Sequence, residues 1–230
     1  MSTAALPTGA TEARFGAGGH DPYDRALRDG SATLELAHVD ASGRPATSPI
    51  DVARFAAPAD EADRSTLDGV CGAVLDAGCG PGRMVLAAIL AGHLALGVDV
   101  SETAVAVARA RGLPVLRRSI FDRLPSEGAW GAVLLLDGNV GIGGSPAALL
   151  ARCAALLESR GRVVVETHVD HDADHAFEGV VHDRAGGRSL PFPWAHLGVR
   201  ALPAPAASAG LAVRDAWTVG DRSFAALEPA

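Results

Sequence analysis

Residues 74–83 read Val74-Leu75-Asp76-Ala77-Gly78-Cys79-Gly80-Pro81-Gly82-Arg83, a short apolar run that breaks into glycines at alternate positions. At the carboxyl end of a strand and the start of a helix, such a loop lets backbone approach a ligand that a Cβ would block. Its free N–H groups favour a carboxylate or phosphate. A glycine loop alone is a weak signal, but this one has a partner. Asp99 ends the next apolar run 23 residues after Asp76, close to the offset of an acid that binds ribose hydroxyls. The pair implies an adenosine-type ligand. Counted from Gly78 the spacing is G-x-G-x-G, with Arg83 and Met84 where a dinucleotide site has its third glycine. Pro81 also removes an N–H that a pyrophosphate would want. The ligand expected here lacks a pyrophosphate.

Further along, Asp137-Gly138-Asn139-Val140-Gly141-Ile142-Gly143-Gly144 is too glycine-rich for a simple turn. It suggests backbone wrapped closely around something, or a mobile gate. His168 follows a strand directly and titrates in the range of a general base. The run His168-Val169-Asp170-His171-Asp172-Ala173-Asp174-His175 invites a metal reading, yet nothing in it fixes the loop, so a polar surface loop without metal is expected. Cys71, Cys79 and Cys153 form neither an even set nor a metal-ligand spacing, and read as reduced thiols.

The elements that must hold these residues alternate. A short helix is expected over 21–27, with Asp21 as N-cap and Pro22 in its first turn. Extended runs 32–39 and 46–52 flank Asp40-Ala41-Ser42-Gly43-Arg44 as a hairpin would, and residues 60–67 read as a helix. From Val70 onward strands (73–77, 94–98, 115–117, 132–136, 162–166) alternate with helices (81–91, 102–111 capped by Ser101, 146–158 entered through Ser145). Continuous apolar strands between amphipathic helices describe a parallel sheet covered on both faces. Residues 195–209 read as a helix interrupted by Pro203 and Pro205. Residues 211–219 and 222–227 then alternate around Gly220-Asp221, as a closing antiparallel hairpin would.

Composition narrows the chemistry. Net charge is −7 and no lysine occurs among the 230 residues. Without an amine side chain there is no Schiff-base enzyme, no pyridoxal phosphate anchor and no Walker loop. Scattered arginine and an acidic balance speak against nucleic acid, and no apolar stretch is long enough for a membrane span. Residues 1–19 lack the regions of a signal peptide and read as a disordered tail, so a cytoplasmic protein is expected.

On these residues the chain resembles the class I (Rossmann-like) S-adenosylmethionine-dependent methyltransferases, of a small bacterial type. Asp76 to Gly82 resembles their first motif and Leu96-Gly97-Val98-Asp99-Val100-Ser101 their second. Arg118 to Pro125 resembles the third, Trp130 to Asn139 the fourth, and Leu156 to Val163 the turn into strand five. The resemblance implies a doubly wound α/β sheet of seven strands, order 3-2-1-4-5-7-6, mostly parallel with the last strand antiparallel. It would occupy residues 70–230, behind a helix-and-hairpin cap at 20–69. It further implies that Gly78, Gly80 and Gly82 pack against the methionine portion of S-adenosylmethionine, with Asp76 and Cys79 in the same loop. Asp99, beside Val100, would take the ribose, and Asp122 with Phe121 or Ile120 the adenine. Asp137 and Gly138 would hold the ammonium end, and Tyr23, with His20 nearby, would close over the cofactor. Candidate catalytic residues are His168 as a base, Asp137 to orient a nucleophile and Asn139 to meet the acceptor. The acceptor implied is a small molecule and the protein a monomer or homodimer, with Phe192-Pro193-Trp194 as a lid. Two other readings stay open: a binding protein that keeps the cofactor fold without turnover, and an NAD-dependent oxidoreductase, which the missing third glycine and missing lysine disfavour.

Overall fold

The structure, a computed structural model, describes residues 14–16, 22–30 and 33–230. The cap expected at Asp21 and the candidate His20 lie outside the described residues.

Helix α1 (Pro22–Asp29) precedes strands β1 (Thr33–Val39) and β2 (Pro45–Asp51), which pair antiparallel as the expected hairpin. The Asp40 carboxylate accepts from the amides of Ser42 and Arg44 at 2.8 and 2.9 Å, an Asx-type turn that closes the hairpin there. Two short helices follow, α2 (Val52–Ala56) and α3 (Glu61–Ser65). Asp60 caps α3 in a capping box with Asp63.

Strand–helix alternation then gives β3 (Val74–Ala77), α4 (Arg83–Leu90), β4 (Ala95–Asp99), α5 (Glu102–Ala110) and β5 (Val115–Arg117). It continues through β6 (Trp130–Leu135), α6 (Pro146–Leu156) and β7 (Leu157–Thr167). Ser101 and Ser145 each accept an amide at the start of α5 and α6, as expected of N-caps. The chain ends with β8 (Asp174–His182), β9 (Phe192–Leu197), α7 (Pro203–Ser208), β10 (Leu211–Val219) and β11 (Arg222–Pro229).

Seven strands form the main sheet in the order β10-β11-β7-β6-β3-β4-β5, the order anticipated for a doubly wound core. β3 to β7 pair in parallel, and β11 enters antiparallel to β7. β3 and β6 are buried along their whole length, as central strands covered on both faces must be. Alternate residues divide the core. Leu75, Val133, Leu135, Val163 and Val165 pack with Leu149, Leu150 and Leu156 of α6. Val74, Leu134, Val164 and Phe224 pack with Met84, Ala87 and Ala88 of α4.

Three expectations need correction. Residues 195–209 are not one helix: 195–197 finish β9, and only Pro203–Ser208 is helical. Pro203 starts that helix, where its missing N–H costs nothing. Residues 168–175 are not wholly a surface loop, because Asp174 and His175 open β8 and pair with Leu197 and His196. Finally, within the segment read as a disordered tail, Phe15 packs its ring 4.8 Å from that of Tyr23.

β8 also pairs with β1, so the hairpin is half of a second sheet, ordered β2-β1-β8-β9. The glycine-rich segment 139–144, a 3-10 turn, lies against this sheet. A Cβ on Gly141 would stand 2.2 Å from the Ala195 carbonyl oxygen, so what this backbone wraps closely is β9.

Candidate active site

Chain reversal in the sheet, with β4 on one side of β3 and β6 on the other, opens a crevice at the carboxyl ends of these strands. A cavity of about 540 Å³ fills it, roofed by the second sheet. The glycine loop forms its floor. The Gly80 amide donates to Asp99 Oδ2 at 2.8 Å, and the Ser101 amide to Oδ1 at 2.8 Å. Asp99 is thereby aimed at the cavity by two backbone donors. Burial pushes its carboxyl up, against the pull of those donors.

Gly78 has a φ of 73°, and a Cβ there would stand 2.6 Å from Asn139 Nδ2. The reason is that Asn139 clamps the loop, its Nδ2 donating to the carbonyls of Ala77 and Gly78 at 2.9 and 3.0 Å. This donor, expected to meet an acceptor, is spent on the loop.

Asp76 is buried at 4% exposure beneath the loop. Burial, reinforced by the charges of Asp137 and Asp99 and opposed by Arg83, raises its carboxyl to about 7. Asp137 adopts the left-handed region at a φ of 54°, a strained position for a non-glycine residue. Its amide donates to Glu166 Oε2 at 2.7 Å, and its carboxylate meets Arg83 and, at 3.2 Å, Arg54. Arg83 also pairs with Asp63, while Arg222 reaches Asp63 and both oxygens of Glu166 at 2.7 Å. Burial alone would raise Asp63, but the hydrogen bonds from Arg83 and Arg222 outweigh it and hold the carboxyl well below the usual range. This network fastens α3, α4, β7 and β11 to the strained turn after β6.

Tyr23, Cys79, Val100, Ile120, Phe121, Gly138 and His168 also line the cavity. Burial pushes the Tyr23 hydroxyl and the Cys79 thiol well up, so both are neutral. Two of the anticipated cofactor residues do not line it. Gly82, at a φ of 89°, leaves room for Leu113, whose Cδ1 is 2.5 Å from where a Cβ would stand. The Asp122 carboxylate turns back to accept from the Ser119 amide at 2.9 Å, the loop-acid arrangement that a tight turn favours.

His168 Nδ1 accepts from the Asp170 amide at 3.1 Å, so its neutral ring carries the proton on Nε2. Burial lowers its basicity, against an upward pull from Asp170. In this tautomer the nitrogen free to meet an acceptor is Nε2. Its ring stacks on His196 at 4.2 Å. Burial, with the nearby rings of His168, His38 and His175, lowers His196 to about 3.

Much of the roof was not anticipated. Ser48, Pro49 and Ile50 of β2, Arg54 and Phe55 after it, and His196 of β9 all face the cavity. Phe192, Pro193 and Trp194, the anticipated lid, do so from a strand. Phe15 stands 5.6 Å from Phe192 and 5.9 Å from Trp194, ring to ring. The run 46–52 reads as extended; nothing local marks which face would meet a ligand.

No protein-family model matches the chain, and no curated protein matches it by sequence. Solved structures do match. An S-adenosylmethionine-dependent methyltransferase from Bacteroides fragilis, in complex with S-adenosyl-L-homocysteine, aligns with a TM-score of 0.72 at 21% identity, over 92% of this chain and 95% of that one. The 1,6-didemethyltoxoflavin-N1-methyltransferase of Burkholderia thailandensis, with 1,6-didemethyltoxoflavin and S-adenosylhomocysteine bound, aligns at 0.55 and 18% identity, over 74% and 78%. An O-methyltransferase of neocarzinostatin biosynthesis, complexed with S-adenosylmethionine and 2-hydroxy-5-methyl naphthoic acid, aligns at 0.53 and 26%, over 73% and 52%. Among the described residues no helix is long and apolar enough to cross a membrane. Sheet order, the antiparallel β11 and these alignments together give the chain the seven-stranded, Rossmann-like fold of the S-adenosylmethionine-dependent methyltransferases.

Proposed function

We propose that the protein is an S-adenosylmethionine-dependent methyltransferase acting on a small-molecule acceptor. The observation that carries this reading is the hydrogen bond between Gly80 and Asp99, which joins the glycine loop and the ribose-type acid into one unit on the cavity floor. When bound, S-adenosylmethionine supplies a sulfonium methyl group that is displaced in line, with a neutral thioether as leaving group. Asp99 takes the ribose hydroxyls, Ile120 and Phe121 sandwich the base, and Asp76 and Asp137 stand where a cationic amino group is favoured. The aromatic roof of Phe15, Phe192 and Trp194 excludes water from the reacting end, which favours a transition state in which charge disperses.

The cavity lies within the range of small-molecule sites, about 300–1,000 Å³. Relatives of the same fold carry compact aromatic acceptors, a toxoflavin precursor and a naphthoic acid, and a molecule of that class fits the aromatic roof. Asn139 is committed to the loop and Asp137 to arginines, so alignment and desolvation, rather than a dedicated base, supply the catalysis. His168 orients the acceptor through Nε2–H. A second reading, a protein that binds the cofactor without turnover, draws on the same engagement of Asn139 and Asp137.

Calorimetry with S-adenosylmethionine, S-adenosylhomocysteine and NAD tests the first step: the two sulfur ligands bind and NAD does not. Release of S-adenosylhomocysteine in the presence of small aromatic hydroxy or amino compounds separates the enzyme from the binding protein. Binding of NAD alone would overturn both readings.

A further inference from the structure

Three strands of the second sheet bring histidines together. His38 of β1, His175 of β8 and His196 of β9 each offer a ring nitrogen, and these lie within 4.8 Å of one another. Their sequence positions give no hint of this, since only His175 belongs to the histidine- and aspartate-rich run that invited a metal reading. The strand register does it, setting His175 opposite His196 and running β1 along the other edge of β8.

Two ring nitrogens in the group, His38 Nδ1 and His175 Nε2, are buried and have no hydrogen-bond partner. A buried polar atom without a partner is destabilising, and two in one cluster call for a ligand that the protein atoms do not supply. His38 shows what kind. Its other nitrogen, Nε2, lies 3.2 Å from Ser48 Oγ. With the hydroxyl accepting the Nε2–H, the buried Nδ1 keeps its lone pair for a ligand; this is the outer hydrogen bond by which metal-bound histidines fix their tautomer.

Size and surroundings agree. Three atoms no more than 4.8 Å apart leave a central point within about 2.8 Å of each, so a shift of under about 1 Å per ring reaches the 2.0–2.1 Å of a zinc–imidazole bond. Phe177 packs on all three rings, with centroids 4.6, 4.7 and 5.4 Å away, and forms an apolar shell. On the other side His196 lines the cavity and stacks on His168.

We propose that His38, His175 and His196 bind a divalent transition-metal ion of the zinc class in the wall of the cavity. Three neutral nitrogen donors and no carboxylate in the set favour zinc, cobalt, nickel or copper over magnesium and calcium, which take oxygen. Three protein ligands leave a fourth position open, as in metal sites that bind water or a substrate atom. The site stands on its own residues, whatever the cavity holds.

Chelator-stripped protein titrated with Co²⁺ tests this by visible absorption, with Zn²⁺ displacing the signal and melting temperature followed in parallel. One cobalt per chain, with the strong bands of a low-coordinate site, is expected. His38→Gln, His175→Gln and His196→Gln each abolish the bands, and Ser48→Ala weakens binding by roughly tenfold to a hundredfold. Mg²⁺ produces no shift. X-ray absorption of the zinc-loaded wild type, which needs no variant to fold, shows three imidazoles at about 2.0–2.1 Å. The proposal is overturned if wild type shows neither bands nor a zinc-induced rise in melting temperature at one equivalent. Bands that persist in the histidine variants, or a zinc shell containing sulfur or fewer than three imidazoles, overturn it as well.

Discussion

The backbone amide of Gly80 and the carboxylate of Asp99 meet at 2.8 Å, so the glycine loop and the acid at the end of the neighbouring strand position each other. Asp99→Ala removes both the ribose acceptor and this brace. Affinity for S-adenosylhomocysteine is expected to fall by about 1.5–3 kcal/mol, roughly tenfold to 150-fold, as for a lost charge-assisted hydrogen bond. Calorimetry measures it, and an unchanged affinity would remove Asp99 from the cofactor site.

Arg83 is 4% exposed and sits between Asp63 and Asp137. Arg83→Met removes the most buried of three arginines on this carboxylate pair and leaves Arg54 and Arg222 in contact with both acids. Losing its charge-assisted hydrogen bonds is expected to cost about 1.5–3 kcal/mol, read as a lower urea midpoint. A double-mutant cycle with Asp63→Asn isolates the part of that loss carried by the Arg83–Asp63 pair.

Stability should carry the signature of Asp76. Its folded-state carboxyl is raised to about 7, while the unfolded chain releases that proton near 3.9. Between these values the folded state binds more protons, so this group's contribution is fully present below about pH 4 and is lost as pH rises through 7. Wild type therefore loses stability over that window relative to Asp76→Asn, at up to about 1.4 kcal/mol per pH unit. Cofactor binding runs the other way: a cationic amino group prefers the ionised carboxylate, so affinity climbs with pH and levels off above 7. A flat difference between wild type and variant would sink this assignment.

His168 lines the cavity, and with Asp170 on Nδ1 its neutral ring carries the proton on Nε2. His168→Gln keeps an N–H donor, and turnover is expected to fall by less than about tenfold with an unshifted pH profile. A loss on the scale of general-base catalysis, about 10²–10⁴, would restore the role first assigned to it.

Where the chemistry depends on neighbours in sequence, the sequence was readable. The loop at 76–82, the acid at 99 and the serine caps at 101 and 145 follow from local pattern, and the order of the main sheet from the family resemblance those motifs carry. The second sheet was not readable as such, because its strands find their partners far away. Ala37 of β1 pairs with Val180 of β8, and no window of sequence contains both. Charged and histidine residues at 174–178 hid the start of β8, and the alanine-rich run beyond β9 imitated a helix. Phe15 looked like part of a tail because its value lies in rings at 23, 192 and 194. Of the cavity's roof, Phe192, Pro193 and Trp194 were legible, whereas Phe15, the β2 face and His196 were not.

The pairing of β1 with β8 also sets a schedule for synthesis. About 140 residues separate the two strands, which at roughly 5–20 residues per second is on the order of ten seconds of translation. Through that interval the newborn hairpin has one edge without its partner, while the nucleotide-binding half of the protein can already be assembling on the ribosome. The roof is therefore the late, high-contact-order part of folding, and the stage at which a nascent chain is most exposed to mispairing with another copy of itself.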